Sequence, residues 1–388
     1  MAHAIDQLIA NHRILICAGT GGVGKTTCSA ALARRAARQG RRVAVLTIDP
    51  ARRLADALGV RPEDDDAHEV TASGSPENSG SLHVFTLDSR RTFDRLVDRF
   101  APDPETRERI LANPLYQQIV TSIAGSAEYA AMERVYEIAE DDRYDLLVVD
   151  TPPAEHALDF LEAPGRIAGF LESPVVALLL QPTLSVGRFG LRLFEGAARR
   201  VLGLLERVSG LDFLEDLSEL LIAIESLTEG LRGRAEELGE LLRSDACRFL
   251  VVTGPSSDGV RRADGFLDQL LAARVSIAGV IANRVRQWPG SDAELSLLSE
   301  AGPSQALSDS LAALAQGLSE PDGDRLARAA IELASGYASQ IMLDRETLAP
   351  LQARAQRCDW MFHVMPELPN DVYDLSGLDA FGDLFDGA

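Results

Sequence analysis

Near its start the chain runs from an apolar stretch, Arg13–Ala18, directly into Gly19-Thr20-Gly21-Gly22-Val23-Gly24-Lys25-Thr26-Thr27, a full match to the phosphate-loop pattern G-x-x-x-x-G-K-[ST]. No other feature restricts the possible folds so strongly. Such a loop works only between a buried strand and a helix N-terminus, because its amides and the helix dipole must converge on one phosphate group. Lys25 is the only lysine among 38 basic residues, all the others being arginine. On a solvated surface the two cations interchange freely, but a loop curled round a phosphate needs a compact ammonium rather than a planar fork. The helix that follows is expected over Lys25 to Gln39.

Further short β-branched runs recur with helical stretches between them: Arg42–Ile48, Leu82–Leu87, Leu146–Asp150, Phe249–Thr253, Ile277–Ala282 and Trp360–Val364. This alternation predicts an α/β fold, a doubly wound and mainly parallel sheet covered on both faces by helices. Functional turns then belong at the carboxyl ends of the strands. Two stretches break the pattern. Residues 166–244 carry only leucine-rich helical periodicity and read as an inserted helical subdomain. Residues 287–357 are polar, with Pro289, Gly302-Pro303 and Pro321-Asp322-Gly323 predicted to divide them into short helices. The sheet domain therefore comprises residues 1–165 and 245–388, and the acidic, Gly- and Ser-rich 63–81 reads as a loop.

The 388 residues carry a formal charge of −21. That field repels phosphate backbones and anionic headgroups, which argues against nucleic acid and bare membrane as partners. Cys17, Cys28, Cys247 and Cys358 form no C-x-x-C pair and read as free thiols of a reducing compartment. No signal peptide is recognisable at the start, and the longest uncharged apolar stretch, Ser173–Gly187, is shorter than the roughly 20 residues needed to span a bilayer. A cytoplasmic protein is expected.

Two aspartates complete the chemistry. Asp49 ends the second run in Thr47-Ile48-Asp49-Pro50-Ala51-Arg52-Arg53, and Asp150 ends the fourth in Asp150-Thr151-Pro152-Pro153-Ala154-Glu155-His156. An aspartate at the tip of a buried strand beside a phosphate loop is the usual Walker B metal-holding residue, which assigns Asp150 and Thr26 to Mg²⁺. The loop G-G-V-G-K-T-T, a D-P-A segment after the second strand and a D-T-x-P-x-x-H-like segment after the fourth together resemble the ArsA-like ATPases. These are P-loop NTPases of the deviant Walker A (SIMIBI) class, and they include the arsenite-pump ATPase and the targeting factor for guided entry of tail-anchored proteins. The resemblance implies ATP and Mg²⁺ as ligands, held by Gly19, Gly21, Gly22, Val23, Gly24, Lys25, Thr26 and Thr27 and by Asp150. Asp49 would polarise the attacking water. Asn283, in Ile281-Ala282-Asn283-Arg284, would cover the base together with the loop Pro366-Glu367-Leu368. The segments after Asp49 and Asp150, with His156 in the second, would be switches sensing the γ-phosphate. A GTPase would show N-K-x-D where this chain has Asn283-Arg284-Val285-Arg286, which favours ATP.

Three departures bear on function. The family's signature lysine, which reaches the partner's phosphate across a dimer, is replaced by Thr20; Arg52 and Arg53 are candidate substitutes, with ordinary surface charges as the competing explanation. The cysteine pair that clamps zinc in the eukaryotic targeting factor has no counterpart, so no zinc is predicted. The cysteines lie mostly on strands and the loop helix, so metalloid activation through three thiolates is not supported. The resemblance implies a homodimer, or a pair with a related ATPase. The apolar residues between Val175 and Leu205 exceed what one amphipathic face needs, which leaves open a groove for an apolar protein client, a dimer contact or a self-packed subdomain. The leading expectation is a switch ATPase. The alternative is a weakly or non-hydrolysing nucleotide-binding scaffold paired with another ATPase. A chromosome-partitioning role would want a basic C-terminal helix, and Leu375–Ala388 carries Asp379, Asp383 and Asp386 instead.

Overall fold

The computed structural model describes residues 4–48, 54, 57–60, 67–70, 80–117, 126–152, 169, 220, 228–300 and 320–386. In chain order the elements are α1 (Ala4–Asn11), β1 (Ile14–Gly19), α2 (Lys25–Arg38), β2 (Val43–Thr47), β3 (His68–Glu69), β4 (Leu82–Thr86), α3 (Ser89–Phe100), α4 (Pro104–Ala112), α5 (Ser126–Glu140), β5 (Leu146–Asp150), α6 (Thr228–Arg243), β6 (Cys247–Thr253), α7 (Ser257–Ala272), β7 (Ile277–Val285), α8 (Asp292–Glu300), α9 (Glu320–Arg357), β8 (Met361–Pro366) and α10 (Leu375–Asp383).

The eight strands form one sheet in the order β3-β4-β2-β5-β1-β6-β7-β8, parallel throughout except for the antiparallel β3–β4 pair. All six residues of β1 are buried, as expected of a central strand covered on both faces. Its period of two divides them between two cores. Ile14, Ile16 and Ala18 join Tyr129, Val135 and Phe266, from α5 and α7. Leu15 and Cys17 join Cys28, Leu32 and Phe381, from α2 and α10. Burying each large aliphatic or aromatic side chain contributes about 1.5–3 kcal/mol.

β1 lies between β5 and β6, with the next strand in sequence, β2, on the far side of β5. The crossovers diverge at this point, leaving a crevice at the carboxyl end of β1. Most helices whose start is described begin on a side-chain cap: Asp88 accepts from the Arg91 amide at 3.1 Å, Asp103 from Thr106 at 2.8 Å, Ser256 from Gly259 at 3.1 Å and Asp374 from Gly377 at 2.7 Å. Such caps are each worth about 1 kcal/mol. The helix α2 differs, for its N-cap is Gly24 with no side-chain cap.

The structure departs from the sequence expectation in two places. Within 63–81, His68-Glu69 pairs with β4 as a two-residue antiparallel edge strand, too short to carry a readable alternation. Pro321-Asp322-Gly323 does not divide the polar stretch. It lies in the first turn of α9, a 38-residue helix, where a proline's missing N–H breaks no intrahelical bond. The three aspartates of the C-terminal segment are ion-paired, which the sequence reading did not address. Arg34 grips Asp379 through two bonds of 2.8 and 2.9 Å, Arg38 meets Asp383 at 2.8 Å, and the buried Arg35 donates to Asp6, to Asp386 and to the Gly382 carbonyl. Both chain ends are thereby strapped to the loop helix. Of residues 166–244, expected to form an inserted helical subdomain, only Gly169, Leu220 and the stretch from α6 onward are described, so the apolar residues Val175–Leu205 lie outside the described residues.

Candidate functional site

The loop Gly19–Thr27 occupies the crevice at the carboxyl end of β1, and its shape depends on two glycines. A Cβ on Gly19 would lie 2.0 Å from the Val252 carbonyl oxygen of β6, so only a bare backbone can leave the strand there. Gly24 has φ +90°, and a Cβ there would come within 2.3 Å of Asn283 Nδ2. The N-cap that starts α2 is therefore a left-handed residue with no side chain of its own, and the first-turn amides of α2 remain available to an anion. Gly21 and Gly22 are exposed at the rim, whereas Thr20 is buried.

Lys25 is 8% exposed, and its Nζ donates to the Thr20 carbonyl at 3.0 Å, which folds the ammonium back over the loop. Thr26 Oγ1 donates to Asp150 Oδ2 at 2.9 Å. Asp150 is 1% exposed and stands level with Cys17 of β1 and Thr47 of β2 in the parallel ladder. The next residue, Thr151, fixes the exit of β5 by donating its hydroxyl to the Cys17 carbonyl at 2.9 Å. Thr26 and Asp150 thus present hard oxygen donors side by side. That fits Mg²⁺, which binds through one or two protein oxygens and takes its remaining ligands from water and phosphate. Beneath the loop lie Cys17 and Cys28. Burial pushes the Cys17 thiol up to about 12 and the Cys28 thiol well above its ordinary range, so both pack as neutral apolar groups.

Asn283, near the end of β7, is 3% exposed and donates from Nδ2 to the Val23 carbonyl of the phosphate loop at 2.8 Å, while its Oδ1 is buried without a partner among the described residues. Pro366 ends β8, opposite Val285 of β7, and the Glu367 amide bonds the Val285 carbonyl at 3.0 Å. Leu368 packs partly buried against the α2-side core. Among the expected site residues the structure thus gathers the phosphate loop, Asp150, Asn283 and the Pro366–Leu368 turn at one end of the sheet. Asp49, Arg52, Arg53 and His156 lie outside the described residues. Two features were not anticipated from the sequence. One is the direct bond between Asn283 and the phosphate loop. The other is Thr47, whose hydroxyl is buried without a partner among the described residues, at the ladder position of Asp150. Its place at the end of a β-branched run was the only available signal.

A parallel sheet whose central strand opens into an uncapped helix through a lysine-bearing glycine loop, with a buried aspartate on the adjacent strand, defines a P-loop NTPase fold. Residues 12–287 match the family model described as anion-transporting ATPase, and the chain belongs to that family. It is 35% identical over 159 residues to an uncharacterized protein of Streptomyces coelicolor, covering 40% of this chain and 38% of that one. It is 26% identical over 280 residues to a protein of Aquifex aeolicus provisionally named arsenical pump-driving ATPase 1, covering 70% and 63%. It is 29% identical over 182 residues to ATPase GET3 of Kluyveromyces lactis, covering 43% and 50%. The matched stretch spans less than two thirds of the length of each of these relatives.

Proposed function

We propose that the protein binds ATP with Mg²⁺ and hydrolyses it to ADP and phosphate, acting as a dimeric switch whose nucleotide state governs its hold on an apolar protein client or partner. The observation that carries the reading is the 2.9 Å contact between Thr26 and Asp150 at the mouth of a loop closed by a nearly buried Lys25. The loop amides and the first turn of α2 bind phosphate oxygens, and Lys25 places its charge against the β and γ groups. Thr26 and Asp150 would hold Mg²⁺, which would supply positive charge to neutralise the negative charge developing on the transferred phosphoryl group. Asp49 would polarise the attacking water, and Asn283 with the Pro366–Leu368 turn would cover the base. Family membership supports the ATPase assignment, the name of the Aquifex aeolicus relative supplies a pump-driving role as one model for this chain, and the client role comes from the resemblance to the tail-anchored-protein targeting factor.

Thr20, standing in place of the signature lysine, favours a second reading: a nucleotide-binding scaffold that scarcely turns over until a related ATPase supplies the lysine in trans. Steady-state phosphate release by the purified protein with Mg²⁺, alongside Lys25→Ala and Asp49→Asn, separates the two. Turnover lost in both variants supports the ATPase. Tight ATP binding by the wild type with no turnover supports the scaffold. Measurable turnover by Asp49→Asn would overturn the role given to Asp49.

A further inference from the structure

The strand β7 does not run smoothly to its end. Its register with β8 shifts between Ala282 and Val285, and within that bulge Arg284 has φ +60°. A long side chain in left-handed backbone costs on the order of 1–3 kcal/mol, and persists only where its surroundings over-determine it. The bulge holds Asn283 in place to reach the Val23 carbonyl.

Two residues beyond Arg284, the chain is pinned. The Arg286 amide donates to Asp344 Oδ2 at 3.2 Å and its Nη1 to Asp344 Oδ1 at 2.8 Å. Asp344 belongs to α9, is 2% exposed, and so offers both carboxylate oxygens to one residue from a fixed position. Nε of the same guanidinium lies 3.9 Å from Glu367, in the turn between Pro366 and Leu368. One arginine therefore bridges the exit of the bulge, the turn after β8 and the middle of α9. A pair placed only to stabilise α9 would not need the Arg286 backbone amide.

We infer that Asp344 and Arg286 are positioning residues for base recognition: they fix the bulge that presents Asn283 and the turn that carries Leu368, and so tie the base half of the nucleotide site to α9. The inference rests on the proposal that Asn283 and this turn lie against the base. It predicts an effect confined to ligands that have a base. Asp344→Asn keeps the volume and one acceptor but turns an NH₂ toward the guanidinium. Arg286→Lys keeps the charge without the two-point grip.

The experiment is titration calorimetry with Mg²⁺-ATP and with Mg²⁺-tripolyphosphate, which has the phosphates and no base, on the wild type, both single variants and the double variant. The expected result is about a tenfold loss of ATP affinity in each single variant, with tripolyphosphate affinity held within about twofold, and a double variant no worse than the weaker single. Equal weakening of both ligands would make the pair merely structural and overturn the inference, as would unchanged ATP affinity in every variant. If the wild type binds tripolyphosphate as tightly as ATP, the base-site proposal itself falls. Wild-type preference for ATP that survives in the variants overturns the clamp alone.

Discussion

The helices α5 and α6, which lie on either side of β5 and the inserted stretch in sequence, are joined by an ion pair that offers a quantitative test. Glu133 and Arg234 have side chains 1% exposed; Arg234 Nε donates to the two carboxylate oxygens at 2.8 and 3.1 Å, and the guanidinium lies 3.6 Å from the centre of the Tyr136 ring. Burial raises the Glu133 pKa, and the bonds from Arg234 oppose the rise. Arg234→Met keeps most of the volume and leaves the carboxylate buried alone, which costs about 3–5 kcal/mol at pH 7. Removing the contact with Tyr136 adds about 0.5–2 kcal/mol. In this variant the folded-state pKa of Glu133 rises further above the ordinary 4.5. A carboxyl raised in the folded state destabilises only where the unfolded chain would ionise it, so the penalty is smallest below about pH 4.5 and grows as the pH rises toward the folded value. The double variant Glu133→Gln/Arg234→Met removes both charges and should recover to within about 1–2 kcal/mol of the wild type. Urea denaturation followed by the fluorescence of Trp288 and Trp360, at pH 5 and pH 7, measures all of these. A single-variant loss under about 1 kcal/mol at pH 7, or a double variant as unstable as the single, would refute the reasoning.

Gly24→Ala should weaken ATP binding at least tenfold in calorimetry, because left-handed alanine costs about 1–2 kcal/mol and its Cβ displaces Asn283 from Val23. Asp145 is held down to about 2, chiefly by hydrogen bonds from Arg42. A carboxylate lowered on folding stabilises above its unfolded pKa of 3.8, so the wild type should melt above Asp145→Asn at neutral pH and lose that advantage as the pH falls from about 4 toward 2. Phe385→Ala, which empties a fully buried site beside His363 and Phe381, should cost about 3–5 kcal/mol in urea denaturation and loosen the C-terminal strap on α2.

The phosphate loop was legible because its chemistry is local. Nine consecutive residues carry the glycines, the lysine and the hydroxyl, and the apolar run before them and the helical pattern after them supply the setting. The parallel strands were legible for a related reason, since burial on both faces forces continuous apolar runs such as the one in Leu146–Asp150, and the expected ends fall within two residues of the observed ones except at β7, which runs three residues past Ala282 to Val285. The edge strand His68-Glu69 was not, because two residues cannot display a period.

What the sequence determined by itself is the class of chemistry, a lysine-bearing phosphate loop at a helix start and an aspartate at a strand end, since each of these is carried by a few consecutive residues. Tertiary structure alone decided how distant segments converge. Asn283 reaches Val23 across 260 positions, Arg286 chooses Asp344 on a helix that Pro321 does not break, and the C-terminal aspartates pair with Arg34, Arg35 and Arg38. The physical reason is that a charged or amide side chain states what kind of partner it needs but not which one. That choice is made by the sheet order and helix packing that bring remote segments within hydrogen-bonding distance.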